Sequence, residues 1–208
     1  MTMGSAEIHS LFPTPIYVID GFMLSEEKQN RLIQEALSDS QQNLCGNLVS
    51  SNRYVLDLDY LSDLKDYLQL HLNKYAYEVY NITPTVQFYI TQSWLNINDT
   101  NTSHHVHGHA NSFFSGTYYI KGETPISFHK DVTAFQNFEF DMSTPNQFNA
   151  QECTLPIQQG RCILFPSVLK HFVSVNNTNT QRVSLSFNCF FKGELKVKKD
   201  NATYLKMQ

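Results

Sequence analysis

The stretch Gly160-Arg161-Cys162-Ile163-Leu164-Phe165-Pro166-Ser167-Val168-Leu169-Lys170-His171 carries the punctuation of one buried strand. Gly160 can open it from a tight turn, Cys162 to Phe165 are apolar without interruption, and Pro166, which offers no backbone donor, closes it. A single histidine, His171, follows in the next turn. Upstream, four of the chain's eight histidines fall within His104-His105-Val106-His107-Gly108-His109. Residues two apart on a strand face one side, so His107 with His109, or His105 with His107, would aim two imidazoles at one point. Neutral imidazole is a common ligand of Fe, Zn, Cu and Ni. Taken alone, the cluster also reads as a polar His-rich loop.

An HxH on one strand, followed by Gly-x5-Pro and a distal His, is how metalloproteins built on a double-stranded β-helix bring a third ligand across to the first two. The rest of the chain suits such a fold. Its 208 residues, 24.0 kDa, fit one domain with a real core. Charged residues are only 16%, below the usual quarter, while 13% are aromatic, a composition that favours sheets. Ser25 can cap a helix whose first turn holds Glu26 and Glu27 and whose apolar stripe is Leu32, Ile33 and Leu37. Leu64, Tyr67, Leu68, Leu72, Tyr75 and Val79 predict a second helix over about 62–80. A short extended run, 16–19, precedes the helices. After Pro84 the pattern changes to short β-branched and aromatic runs at 86–97, 113–120, 126–129, 135–140, 162–165, 172–175 and 182–191. We therefore expect a mostly β fold with N-terminal helices: a jelly-roll, cupin-like barrel braced by helices. It would be one domain, 1–208, with a helical brace mainly over 20–82, a β-helix core over 84–192 and a tail over 193–208.

A net charge of −4 leaves no cationic surface for a run of phosphates, so nucleic acid is not an expected partner. No basic leader precedes an apolar stretch, and no run approaches the ~20 apolar residues of a membrane span. Neither secretion nor a membrane is expected, and the location read from this is cytoplasmic. Cys45, Cys153, Cys162 and Cys189 lack CxxC spacing and read as buried reduced thiols. The Asn-x-Ser/Thr triplets at Asn81, Asn98, Asn101, Asn176 and Asn201 then read as polar loop residues. The polar stretches 98–103 and 142–151 are loops of the kind that border a binding mouth. Lys196, Lys198 and Lys199 read as a solvated tail.

The ordered set Trp94-Leu95-Asn96, His107-Gly108-His109, Ser115-Gly116-Thr117-Tyr118-Tyr119, Gly160 to Phe165-Pro166-Ser167, His171 and Arg182-Val183-Ser184 resembles the 2-oxoglutarate and Fe(II)-dependent oxygenases frequent in marine bacteria and phages. The resemblance covers roughly residues 12–192. It implies Fe(II) as metal, 2-oxoglutarate and O2 as co-substrates, and a dioxygenase that hydroxylates its substrate with release of succinate and CO2. His107, His109 and His171 would be the ligands. Arg182 with Ser184 would hold the distal carboxylate of 2-oxoglutarate, with a hydrogen bond from Tyr119 and a contact from Asn96 at the other end.

Each assignment has a plainer counterpart. Arg182 could be an exposed strand residue, and Tyr119 and Asn96 could be ordinary packing. Tyr118, on the opposite face from Tyr119, has no role. Ala110 stands where many family members have Pro. His109 stands where HxD enzymes place Asp, and Asp131 after His129 is the fallback carboxylate ligand. Phe113, Phe114, Phe128 and Phe165 would keep water from the site. His104 and His105 would flank its mouth, while His9, His71 and His129 have no assigned task. Two other classes compete. A cupin-like metalloenzyme without 2-oxoglutarate would suit three His ligands, but Phe113 and Phe114 stand where cupins carry Glu, and Arg182 would lack a purpose. A jelly-roll binding protein with an incidental His cluster would bind no metal. The substrate expected is a small molecule or peptide, and the helices of the first eighty residues could brace the sheet or form a homodimer face.

Overall fold

The computed structural model describes residues 5–131, 138, 140–196 and 202–208. From the N-terminus, β1 (Tyr17–Ile19) leads into α1 (Glu26–Ser38), then β2 (Ser40–Gln42), β3 (Leu48–Ser50) and α2 (Ser62–Lys74). A π-helical turn over Tyr75–Val79 extends α2, which accounts for the helix expected to 80. The β-rich part comprises β4 (Val86–Asn98), β5 (His104–His107), β6 (Phe114–Lys121), β7 (Ile126–His129), β8 (Glu152–Leu155), β9 (Cys162–Pro166), β10 (Lys170–Val173), β11 (Arg182–Leu195) and β12 (Leu205–Met207). Ser25 caps α1 as its sequence implies, its Oγ accepting from the Lys28 N–H at 3.3 Å. The polar Ser40–Gln42 strand and the β8 strand had no alternating apolar signal. They exist because neighbouring strands offer them a ladder. The expected run 135–140 lies mostly outside the described residues, as do Lys198, Lys199 and Asn201.

The strands form two facing antiparallel sheets, a jelly-roll that is not closed into a barrel. The major sheet runs β1-β9-β6-β11-β4-β3-β2, with β12 on β11, and the minor sheet runs β5-β10-β7-β8. The expected barrel is open because the chain passes between sheets in turns, at 108–113 and 167–169, where no ladder links the two.

Alternation along β4 and β11, up to a bulge between Asn188 and Cys189, divides the protein. Leu95, Ile97, Val183, Leu185, Phe187 and Tyr118 face one way and pack with Leu32, Leu64, Leu68 and Leu72 of the helices. The other face carries Asn96, Thr117, Arg182, Ser184, Ser186 and Asn188, all buried between the sheets. There a smaller apolar cluster of Tyr119, Ile126, Phe128, Ile163 and Phe165 holds the minor sheet. The helices therefore brace one face only, leaving the inner face free to be polar.

Gly116 shows how tightly the braced face is packed. It sits opposite Phe187 in the β6–β11 ladder, and a Cβ there would overlap the Phe187 ring and lie 2.7 Å from Leu164 Cδ2. The glycine of the Ser-Gly-x-Tyr-Tyr motif is thus a packing residue. Gly116→Ala should destabilise the protein by about 1–3 kcal/mol through overpacking, read as a lowered urea midpoint with an unchanged slope.

Candidate metal centre

His107 ends β5 directly opposite His171 on β10. His109 arrives from the turn beyond. Gly108 packs so closely on the next chain segment that a Cβ would lie 3.3 Å from Ser167 O, and the His109 N–H donates to that same oxygen at 2.9 Å. One ligand atom from each of His107, His109 and His171 lies within 4.8 Å of the others. Their Nδ1 atoms are all engaged: His107 with His105 O at 2.8 Å, His171 with Leu169 O at 3.1 Å, and His109 with Asn188 Oδ1 at 2.6 Å. Carbonyl oxygens only accept, so each Nδ1 carries the proton and each Nε2 keeps its lone pair. The Nε2 atoms of His107 and His109 are 3.3 Å apart. Two nitrogens held about 2.1 Å from one ion at a right angle would stand about 3 Å apart, so the donor set fits a divalent metal.

The electrostatics favour the same state. Burial, foremost, pushes His171 down to about 3 and His109 to about 4, and lowers His107 as well. All three are neutral, ligand-competent imidazoles at neutral pH. No carboxylate among the described residues joins them. Asp131, the fallback ligand, pairs instead with Lys170 Nζ at 2.9 Å on the surface, since it lies beyond the end of β7.

Arg182 shares the cavity with the triad and is 2% exposed. Its Nε donates to Thr124 O at 2.9 Å and its Nη1 to Ser184 Oγ at 3.1 Å, and the guanidinium lies 5.2 Å from the centre of the Tyr119 ring. No carboxylate among the described residues pairs with it. Among the described residues the buried Asn96 Oδ1 has no hydrogen-bond partner, and the buried Tyr119 hydroxyl has none beyond the neighbouring Arg182 guanidinium. Asn96 Nδ2 meanwhile donates to Ser186 Oγ at 3.0 Å. Cross-strand register explains the grouping: Ser184 stands opposite Asn96 on one side and Tyr119 on the other. Tyr118 points into the helical core, where its hydroxyl donates to Phe22 O at 3.0 Å.

Other expectations divide. Phe165 and Phe128 do flank His171, with ring centres 4.7 and 6.2 Å away. Phe114 is buried against Tyr75, Tyr80 and Phe88, and Phe113 is half-exposed beside Phe88 and Phe191, so neither lines the site. The start of β6 turns both away. His104 lines the cavity, whereas His105 is exposed. His129 lies 3.5 Å from its cross-strand partner Glu152, His9 3.4 Å from Glu7, and His71 meets the Tyr17 hydroxyl at 3.2 Å. Cys162 and Cys189 are buried, but Cys153 is exposed on β8, an outer strand of the minor sheet.

Two features escape the sequence reading. Asn188 and Ser115, whose Oγ lies 2.9 Å from His109 Nδ1, together hold the second histidine. Asn188 falls in register with Arg182 and Ser184 on β11, which is the one signal that pointed to it. The second feature is the outer cleft of ≈ 460 Å³ above the triad, walled by Gln41, Gln42, Asn43, Arg53 and Trp94. Most of that wall comes from β2 and the segment after β3, strands that the sequence did not announce.

Residues 92–188, from the middle of β4 to the Asn188 position of β11, match a family model described as "Putative 2OG-Fe(II) oxygenase". This segment is similar to a 2OG-Fe(II) oxygenase domain. The matched segment and its surroundings share their fold with a 2OG-Fe(II) oxygenase-family oxidoreductase from Burkholderia pseudomallei at 10% identity and a TM-score of 0.56, covering 84% of this chain and 83% of that one. They are similar also to a Pseudomonas putida prolyl-4-hydroxylase at 10% identity and 0.54, over 84% of this chain and 92% of that one. The α-ketoglutarate-dependent epimerase SnoN of nogalamycin biosynthesis aligns at 13% identity and 0.57, over 93% of this chain and 89% of that one. No curated protein matches the chain. At these identities the solved structures establish the fold. Among the described residues no helix is long and apolar enough to cross a membrane.

The depressed imidazoles make the metal-free protein acid-sensitive. Below the unfolded histidine pKa of about 6.5 the unfolded chain takes up protons that the folded site refuses. Stability should be full above that pH and fall as pH drops through about 4. Urea midpoints between pH 7.5 and 4 measure it, and His109→Phe should flatten the slope.

Proposed function

We propose that the protein is a non-haem Fe(II) and 2-oxoglutarate-dependent dioxygenase. His107, His109 and His171 are its metal ligands, and Arg182 with Ser184 is its co-substrate anchor. One observation carries the reading: a fully buried guanidinium, without a carboxylate partner among the described residues, opens into the cavity where three imidazole lone pairs converge. A buried charge left unpaired is costly, and planar bidentate pairing makes Arg the natural receiver of a carboxylate. 2-Oxoglutarate brings one carboxylate for that anchor and a 2-oxo acid head for the metal.

When bound, the metal and co-substrate supply oxygen activation coupled to decarboxylation, yielding succinate, CO2 and an oxidised substrate. The chain's own residues do the rest. Three neutral imidazoles leave the metal's positive charge unreduced, strengthening its hold on the anionic head of the co-substrate. Asn188 and Ser115 keep His109 in its ligating tautomer, and Phe128 and Phe165 exclude water behind His171. A small-molecule or peptide substrate enters by the outer cleft, whose wall is made of amides, imidazoles, an indole and Arg53. The all-imidazole ligand set would also serve a cupin-like enzyme without 2-oxoglutarate, a reading that leaves the buried Arg182 unexplained.

Anaerobic titration of 2-oxoglutarate into Fe(II)-loaded protein should raise a weak visible charge-transfer band. His171→Ala should abolish it by losing metal, and Arg182→Ala should weaken it while iron content holds. If iron binds and wild type forms no band, the oxygenase reading fails. Asn188→Ala should lower metal affinity about 10–100-fold, measured by competition with a chelator.

A further inference from the structure

A fourth histidine enters the cavity through an irregularity of the minor sheet. His171 pairs with His107, and Val173 with His104, so two steps along β10 answer three along β5. The extra residue is a β-bulge, which re-aims a side chain that alternation would send the other way. His104 and His107 therefore share a face, their rings stacked at 4.4 Å and 21°. His104 lines the same cavity as the triad and Arg182, half-buried, on the wall opposite Asn96 and Ser184.

Its tautomer is set from outside the cavity. Leu44 N–H donates to Asn43 Oδ1 at 2.6 Å, which fixes the amide so that Asn43 Nδ2 faces His104 Nε2 at 3.3 Å. An amide nitrogen only donates, so His104 Nε2 accepts and the proton lies on Nδ1. Among the described residues that Nδ1–H has no hydrogen-bond partner. The three histidines of the triad have the reverse arrangement, each with Nδ1 bonded to protein and Nε2 left open.

We propose that His104 is a co-substrate-positioning residue, its Nδ1–H donating to a carboxylate oxygen of the 2-oxo acid between the metal centre and Arg182. The assignment rests on the oxygenase reading above. It makes Asn43, on the turn after β2, the residue that keeps the donor in place. No bond is made or broken by His104, which holds a charge-assisted hydrogen bond of the kind that orients a ligand.

The test is anaerobic titration of 2-oxoglutarate into Fe(II)-loaded wild type and three variants, with iron affinity measured separately. His104→Phe keeps a stacking ring and removes the donor. His104→Gln places its amide near the lost Nε2 and keeps the Asn43 contact, whereas His104→Asn places its amide near the lost Nδ1. The Kd for 2-oxoglutarate should rise about 10-fold or more in His104→Phe and His104→Gln, and should be largely restored in His104→Asn, with iron affinity unchanged in all three. Wild-type Kd in His104→Phe, or equal weakening in His104→Asn and His104→Gln, would overturn the proposal while leaving the oxygenase reading intact. A wild-type protein that binds iron and no 2-oxoglutarate would sink both.

Discussion

The long antiparallel ladder between β4 and β11, running from Arg182 opposite Asn98 to Gly193 opposite Val86, is the constraint on which the rest of the structure depends. Over 93–98 of β4 and 182–189 of β11 both faces are largely buried, yet the two faces are chemically opposite. Leu95, Ile97, Leu185 and Phe187 need the helices to cover them, and Asn96, Ser184, Ser186 and Asn188 need partners that only a polar interior can offer. Since side chains alternate along this ladder up to the bulge between Asn188 and Cys189, a one-residue slip would bury amides among leucines and put leucines around the histidine cluster. The register of β4 on β11 therefore sets the helical core and the site in a single step.

Stability is distributed unevenly as a result. The helix-facing side is close-packed down to the glycine that admits the Phe187 ring. Among the described residues the inner side holds a buried guanidinium, a buried phenol beside it and an unpartnered amide oxygen, groups whose desolvation burdens the folded state. Such groups persist when the surrounding structure over-determines them and a ligand can answer them. Binding of a dicarboxylate would satisfy Arg182 with the pocket already in shape, so little of the interaction is lost to reorganisation.

The histidines follow the same economy. Burial and mutual repulsion keep them neutral, and each has one nitrogen held by an oxygen and the other free. His107 and His171 come from neighbouring strands of the minor sheet, while His109 leans across to Asn188 and Ser115 of the major sheet. The His107–His109–His171 cluster thus joins the two sheets at a point where no ladder does.

The HxH, the Gly-to-Pro strand, the distal His171 and Arg182 were all legible in the chain, because ligand chemistry and strand punctuation are local properties. So were the capped α1, the amphipathic α2 and the alternation that sends Tyr118 and Tyr119 to opposite faces. Other features needed the folded chain. The open rather than closed jelly-roll depends on where the turns break the ladders. β2, β3 and β8 are strands by virtue of their neighbours. Phe113 and Phe114 leave the site because the chain entering β6 turns them toward Phe88, and Asp131 leaves it because it follows the end of β7 and pairs with Lys170 at the surface. The bulge that turns His104 inward arises from mismatched register between β5 and β10. Sequence determined which groups could bind a metal and an anion, since that is written in side-chain chemistry. Only the tertiary structure decided which of them meet, since register, bulges and sheet edges are properties of pairs of segments distant in the chain.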